Sequence, residues 1–425
     1  MSVSRIRRPA LLLIVALACG GLAAAVTPPE HPQVSGLVAG TDLTSPEALG
    51  WTPEQAATAR EYSRSGWTLA FVDSFLGMAT LALVVFTGFA GRLDARIRAW
   101  VGERRLLGDA FFVVAIVVVL AALNFPLEVW RFRRENLFGF ATQGVGAWLG
   151  DEIKVLMIVC VFALLFFLPV WAAIRRWPKS WWVIGSAIGV SLSILALAIA
   201  PVFIAPLFNT FTPLKDEKLK ERILALAHKN GIAADDVYEV DASQQSRHDN
   251  AYVVGLLGTQ RIALYDTLLA AYEPAEIEFV MGHEMGHYVL NHIWKGIGFA
   301  ALVIVAGFFL VHRILDRTIA RCAGRIGYDT AGSIAAVPLL LLLFTVYTFL
   351  IGPVQSGFSR SLEHQADIFG LEAVGGDTPA RATAVAAFQR MAARNLSEPN
   401  PPAVIEWWLY SHPSVGNRIR FVAGQ

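Results

Sequence analysis

Seven long apolar segments constrain this chain more than any other feature of its sequence. They cover residues 10–26, 66–90, 107–125, 153–174, 181–203, 296–314 and 331–351. A helix needs about 20 apolar residues to cross the hydrocarbon core of a bilayer, and these segments approach or exceed that length. Because 55% of the 425 residues are hydrophobic and only 16% are charged, the chain also lacks the polar surface of a soluble protein. We therefore predict a mainly α-helical, multi-pass membrane protein with about seven transmembrane helices.

The first apolar segment has two interpretations. Arg5, Arg7 and Arg8 precede it, and the three alanines at residues 23–25 resemble a signal-peptidase site. We favour a retained membrane anchor, because six further spans follow and nothing in the sequence requires secretion.

One five-residue motif indicates metal chemistry. His283 and His287 stand four residues apart in His-Glu-Met-Gly-His, so a helix presents both imidazoles on one face. Glu284 projects about 100° round the same helix, where it can reach water beside a metal without taking a coordination position. Zinc held by neutral imidazoles with an open position acidifies water, and a nearby carboxylate takes the proton. The alternative is a chance match on a core helix.

Two imidazoles do not complete a catalytic zinc site. The spacing His-x-x-x-His-x-x-Gly-x-x-His is absent, so His292 is not expected to bind the metal and is interpreted as a polar residue near the membrane boundary. Glu363, after the seventh span, can complete a two-His-one-Glu site. Asp367 lies one helical turn later and can accept the other ring N–H of a ligand histidine. The alternative is an amphipathic helix on which Arg360 and Glu363 form a surface pair.

Charge and cysteine content exclude other kinds of site. The formal net charge of +1 argues against nucleic acid as a partner. Cys19, Cys160 and Cys322 are far apart and lie in or beside apolar spans, so they form neither a disulfide framework nor a zinc ribbon. The metal site must therefore come from histidines and carboxylates.

Polar sequence is concentrated in two regions, which defines the organisation of the chain. We divide it into an N-terminal membrane region (residues 1–205), a catalytic insertion with the His-Glu helix (206–295), two further spans (296–355) and a C-terminal catalytic segment (356–425). Within the insertion we predict helices at 216–230 and 273–291. Strands at 237–240, 251–257 and 261–265, with a turn at 257–260, predict a small β-sheet.

Six motifs in order resemble a known family. They are PLFN at 206–209, DNAY at 249–252, RIALYDTL at 261–268, HEMGH at 283–287, SRSLEHQAD at 359–367 and YSHPS at 410–414. With the span count, they resemble the integral-membrane, zinc-dependent CAAX prenyl proteases, which are HtpX-related gluzincin metalloproteases. The resemblance implies a membrane-apposed gluzincin-type zinc peptidase domain that binds one zinc ion. It also implies a peptide or protein substrate, including one with a lipidated C-terminus.

The resemblance implies roles for the residues of the two central motifs. His283, His287 and Glu363 become the zinc ligands, and Glu284 becomes the general base. Asp367 becomes the hydrogen-bond partner of a ligand histidine.

The flanking motifs receive roles in substrate binding. His412 resembles the late histidine of the family and would donate to the oxyanion, and Asn250 would contact the substrate backbone. Arg360 and Arg418 are candidates for binding a substrate carboxylate, with a structural role as the alternative. The stretch at residues 244–249 is less basic than in eukaryotic members, so it does not itself indicate recognition of a free C-terminal carboxylate. His248, within it, is interpreted as a loop residue.

Other functions compete with this one. An HtpX-type membrane-protein quality-control metalloprotease would use the same chemistry, but about four spans are expected of it. A site-two-type protease requires a ligand aspartate inside a late span, which the sequence lacks. A zinc transporter would place His and Asp in mid-span, whereas Asp73 lies near the end of its segment. A non-catalytic zinc-binding membrane protein would not need Glu284.

Two arguments disagree about the orientation of this multi-pass protein in the cell membrane. Basic residues in short loops number 15 on the side opposite the catalytic regions and 6 on the catalytic side. The positive-inside rule therefore predicts a catalytic face outside the cytoplasm. The family resemblance implies a cytoplasmic catalytic face.

Overall fold

The computed structural model describes residues 27–29, 31–254 and 261–425. Within these ranges, six helices are long and apolar enough to cross a membrane. They confirm the predicted mainly α-helical membrane fold and the last six of the seven predicted spans. The first predicted span, residues 10–26, lies outside the described residues, as does its signal-peptide alternative.

Between residue 31 and the insertion the structure describes five helices. In chain order they are α1 (Pro53–Phe86), α2 (Phe89–Val101), α3 (Arg105–Leu137), α4 (Val145–Arg176) and α5 (Trp181–Ile199). All except α2 are candidate spans, and α5 continues through a π-helical turn (Ala200–Ile204) and a 3-10 turn (Ala205–Leu207). Residues 31–52 have no long helix and pack on the catalytic region, for example through Gly36 N, which donates to Gln389 Oε1 at 2.8 Å.

The insertion folds into a small mixed sheet followed by the His-Glu helix. Its elements are β1 (Phe211–Pro213), α6 (Glu217–Lys229), β2 (Val237–Val240), β3 (Ala251–Val254), β4 (Arg261–Tyr265), α7 (Asp266–Ala271) and α8 (Pro274–Val289). The strand order is β1-β2-β4-β3, in which only the β2–β4 pair is parallel. The sheet therefore leaves β3 as an edge strand beside α8.

The remaining helices carry two spans and the C-terminal segment. They are α9 (His292–Ile326), α10 (Val337–Ala373), α11 (Thr378–Arg394), α12 (Ala403–Leu409) and α13 (Val415–Ala423). The span of α10 begins with a 3-10 turn at Ile334–Ala336 and is continuous with the part of the helix that carries Glu363.

The predicted elements of the insertion are close to those observed. The strands at 237–240 and 261–265 are confirmed, as is the described part of the strand at 251–257, whereas the turn at 257–260 lies outside the described residues. The helix predicted to reach residue 291 ends at Val289, because Asn291 adopts a left-handed backbone conformation and α9 starts at the next residue.

The six spans contact one another in a ring. α1 packs against α3, α3 against α4, α4 against α5, α5 against α9, α9 against α10, and α10 against α1. An apolar cluster that includes Phe112, Trp171 and Ile334 fills the end of the ring where α1 and α9 end. A second apolar core joins the sheet, α8, α11 and α13 at the other end. Among the described residues, the ring therefore carries the insertion and the C-terminal segment at one end.

Glycines allow α8 and α10 to pack closely enough to bring their functional residues together. A Cβ atom added to Gly370 would lie 2.8 Å from the backbone nitrogen of His283, and one added to Gly282 would lie 3.2 Å from the carbonyl oxygen of Gly370. Contacts this short leave no room for a side chain at residue 370. The backbone of the His-Glu helix α8 therefore rests on the backbone of α10, three residues after Asp367.

We expect Gly370→Ala to separate α8 from α10 and to lower the free energy of unfolding by about 1–3 kcal/mol, as overpacking in a core does. The control is Gly357→Ala on the same helix, where the added Cβ meets only Arg360 Nη2, at 3.7 Å. Alanine favours a helix by about 1 kcal/mol over glycine, so this control should be neutral or stabilising. Thermal unfolding in detergent compares the two, and equal midpoints would contradict the close packing.

Candidate active site

Two histidines and a glutamate form a compact group of ligand atoms. His283 Nε2 lies 3.2 Å from His287 Nε2 and 3.2 Å from Glu363 Oε2. His287 Nε2 lies 3.5 Å from Glu363 Oε1. Atoms bound at about 2.0–2.1 Å to one tetrahedral ion are about 3.3–3.4 Å apart, so these separations suit three corners of such a site.

The surroundings of Glu363 provide a second test of whether a metal fits. Its Oε2 atom is buried, lies 3.2 Å from His283 Nε2 and 3.3 Å from His412 Nε2, and makes no well-formed hydrogen bond among the described residues. A buried carboxylate oxygen without a partner is costly unless a cation neutralises it. The donor set and the buried oxygen therefore both fit a divalent metal ion held by His283, His287 and Glu363.

Asp367 forms a hydrogen bond with the ring of His283 on the side away from the ligand group. Its Oδ1 atom lies 2.9 Å from His283 Nδ1, so Nδ1–H donates to the carboxylate and Nε2 keeps its lone pair for a metal. Arg418 binds the same carboxylate through two nitrogens, at 2.6 and 3.0 Å, and lies over the ring of Phe388. Arg418 is therefore committed to Asp367, and its predicted contact with a substrate carboxylate stays a prediction.

A cavity of about 500 Å³ opens beside the ligand group. Its lining combines the membrane helix α1, through Gly66 and Trp67, with His283, Glu284 and His412. Burial raises the pKa of the Glu284 carboxyl, while the neighbouring histidines oppose that rise. A carboxylate with a raised pKa is a stronger proton acceptor, which suits the predicted role of Glu284 as a base.

His412 lies on the loop between α12 and α13 and faces the ligand group. Its Nε2 atom is 3.3 Å from Glu363 Oε2, and 56% of its side chain is exposed. Arg360 supports this loop, because its Nη1 atom donates to the carbonyl oxygens of Glu406 at 2.9 Å and Tyr410 at 2.7 Å. The structure thus gives Arg360 a structural role, and its predicted role in carboxylate binding stays a prediction.

Asn250 lies where the cavity meets the edge strand β3. Its carbonyl oxygen accepts from Tyr265 N at 3.0 Å, and its Oδ1 atom accepts from Ala251 N at 2.9 Å. These bonds fix the first residues of β3 next to α8. An extended peptide that pairs with β3 would therefore pass Asn250 beside the cavity.

The sequence did not predict how the loop before Asn250 is held. His248 stacks on Phe140 at a centroid distance of 4.0 Å and lies between Glu135 Oε2 and Asn395 Oδ1, at 3.2 and 2.8 Å. Asp249 forms a two-nitrogen ion pair with Arg394, at 2.8 and 3.0 Å. Because these partners lie more than a hundred residues from the loop, no local spacing in the sequence indicated them.

Comparison with known proteins assigns both halves of the chain. Residues 213–425 match peptidase family M48, and residues 40–210 match the CAAX prenyl protease N-terminal region, which is described as five membrane helices. The chain belongs to peptidase family M48. It is a membrane metalloprotease of the CAAX prenyl protease family, as the resemblance implied.

Relatives of this M48 peptidase cover most of its length. An uncharacterised metalloprotease of Bacillus subtilis, YhfN, is 34% identical over 389 residues, which cover 89% of this chain and 90% of the relative. The CAAX prenyl protease 1 of Saccharomyces cerevisiae is 32% identical over 316 residues, with 70% of this chain and 68% of the relative covered. The crystal structure of S. mikatae Ste24p superposes with a TM-score of 0.76 at 26% identity, covering 90% of this chain and 92% of that one.

We expect Asp367→Asn to weaken metal binding by about 10–100-fold, the usual cost of losing the hydrogen-bond partner of a ligand histidine. The amide also leaves the Arg418 guanidinium without its carboxylate. Metal affinity is measured by competition with a chromophoric chelator, with Asp377→Asn at the start of α11 as a control outside the site. An unchanged affinity in Asp367→Asn would remove Asp367 from the metal site.

Proposed function

We propose that this membrane metalloprotease is a zinc endopeptidase that hydrolyses peptide bonds in polypeptides presented at the membrane surface. The observation that supports this proposal most directly is that the ligand group and Glu284 lie beside the same cavity. Two imidazoles with one carboxylate form the donor set of catalytic zinc sites, which supports zinc and a single ion. In this proposal residues 206–295 and 356–425 form the catalytic unit, and residues 1–205 and 296–355 form the membrane region.

The proposed mechanism assigns a proton path to residues of the chain. His283, His287 and Glu363 would hold a zinc ion, which when bound would supply a Lewis acid to acidify water and polarise the scissile carbonyl. Glu284 accepts the proton of the attacking water and passes it to the leaving amine. His412 donates a hydrogen bond to the carbonyl oxygen as negative charge develops there. Asn250 and the edge of β3 hold the substrate backbone in extended form.

We expect Glu284→Gln to lower kcat by about 100–10,000-fold, because the amide cannot accept the proton. Its zinc content should match that of the wild type, since Glu284 is not among the ligands. The matched control is Glu278→Gln on the same helix, where Glu278 pairs with Arg222 away from the cavity. Turnover by Glu284→Gln at the wild-type rate would remove Glu284 from the base role.

A peptide-cleavage assay, which also gives kcat for Glu284→Gln, tests whether the substrate needs the lipidated C-terminus that the CAAX prenyl protease relatives suggest. The detergent-purified protein is given matched prenylated and unprenylated CAAX peptides, with a chelator control. Cleavage of the prenylated peptide alone would support a lipid-dependent endoprotease, whereas cleavage of both would indicate a broader membrane peptidase. Cleavage of neither by the zinc-loaded protein would favour quality-control substrates.

We further propose that the catalytic face lies outside the cytoplasm, against the implication of the family resemblance. The basic loops described by the structure meet at the opposite end of the ring. Arg175 Nε donates to Gly332 O at 2.8 Å, and Arg325 Nε donates to Phe86 O at 2.9 Å. These bonds join the end of α4 to the α9–α10 connection, and the end of α9 to that of α1. A face with this excess of arginine favours the cytoplasmic side.

Single-cysteine labelling tests this orientation. In a background with all three native cysteines replaced, Lys215→Cys marks the catalytic face and Lys179→Cys marks the opposite face; both lysines are exposed. We expect a membrane-impermeant maleimide to label Lys215→Cys in intact cells and Lys179→Cys only after permeabilisation. The reverse pattern would place the catalytic face in the cytoplasm.

A further inference from the structure

We propose that His292 is a positioning residue of the metal site, accepting a hydrogen bond from Nδ1–H of His287 and so fixing the tautomer in which His287 Nε2 binds the metal. The inference rests on the proposed ligand role of His287. It gives a role to His292, which the spacing of the metal ligands does not explain.

The geometry of the two rings carries the assignment. His287 Nε2 faces the ligand group, whereas His287 Nδ1 lies 3.0 Å from His292 Nδ1. The ring centroids are 5.1 Å apart and the ring planes are inclined by 73°, so the two nitrogens meet edge on. His292 is 3% exposed, so bulk water does not compete for this contact. The arrangement parallels the pairing of His283 Nδ1 with Asp367.

The backbone makes this contact possible. In one continuous helix, residues five apart point about 140° away from each other, and their rings cannot meet. Here α8 ends at Val289, Asn291 adopts φ 57° and ψ 35°, and α9 begins at His292. Asparagine is one of the few residues that tolerates this left-handed conformation. The break at Asn291 therefore turns His292 back towards His287.

The chemistry selects one arrangement of protons. A metal on His287 Nε2 requires the ring hydrogen on Nδ1, and that hydrogen needs an acceptor. His292 Nδ1 serves as the acceptor only when His292 carries its own hydrogen on Nε2. That atom is buried and makes no hydrogen bond among the described residues.

The position of His292 links the metal site to the membrane. His292 is the first residue of the span α9, while His287 belongs to the catalytic helix α8. The second ligand is thus held from the membrane helix, and the first is held by Asp367 on α10. Both imidazoles are oriented by residues on helices that continue into the bilayer.

Two substitutions of similar size separate the hydrogen bond from packing. His292→Asn keeps an acceptor, while His292→Leu has nearly the same shape and none. We expect His292→Leu to weaken zinc binding by about 10–100-fold and His292→Asn to stay close to the wild type. Zinc affinity is measured by chelator competition on the full-length protein. His364→Asn, an exposed histidine next to Glu363, is the control and should bind zinc normally.

Thermal unfolding of the metal-free proteins completes the experiment. Equal unfolding midpoints for the Asn and Leu variants, with weaker zinc binding in the Leu variant alone, would support the positioning role. Wild-type zinc affinity in His292→Leu, or equally weak binding in both variants, would overturn it. Failure of the proposed function would differ, because wild-type protein would then bind no zinc or Glu284→Gln would keep full activity.

Discussion

The contact between the backbones of α8 and α10 at Gly370 is the constraint on which the site depends. His283 and Glu363 are 80 residues apart, and only helices packed at this distance bring their side chains to one point. Because Gly282 and Gly370 have no side chains, the two helices approach until their backbones are in contact. Each helix then needs only its own repeat to place a pair of functional residues: His283 with His287, and Glu363 with Asp367.

A site that collects this much charge must also balance it. Asp367 is 1% exposed and would be costly as a lone buried carboxylate, but it has both His283 and the Arg418 guanidinium as partners. Glu363 Oε2 instead lies beside the Nε2 atoms of His283 and His412, at 3.2 and 3.3 Å, and makes no well-formed hydrogen bond in the described chain, so a metal ion would neutralise it. The pairing of Asp367 with Arg418 therefore leaves Glu363 as the carboxylate that responds to a cation.

Local patterns in the sequence predicted the local parts of this structure. Apolar length predicted the spans, and the four-residue spacing of His283 and His287 predicted a shared helical face. The pattern did not predict the three-residue strand β1, which pairs with β2 across α6, or the parallel pairing of β2 with β4, which spans the intervening strand β3. It also missed the contact of His292 with His287, since a continuous helix over residues 273–291 would have carried His292 away from the site. Asn291 breaks that helix, and asparagine alone is too weak a signal to predict a left-handed residue.

The position of the cavity has a consequence for substrate access. Its wall includes Gly66 and Trp67, on the span α1, as well as Glu284 and His412. A polypeptide that reaches Glu284 therefore also meets residues of a membrane helix, whichever compartment contains the catalytic face. In the proposed binding mode an extended backbone pairs with the edge strand β3, which starts at the same cavity, so main-chain pairing would contribute little to the choice of sequence. Under the proposed function, selectivity would then come largely from how a substrate is presented at the bilayer, which would favour chains already attached to the membrane over those free in solution.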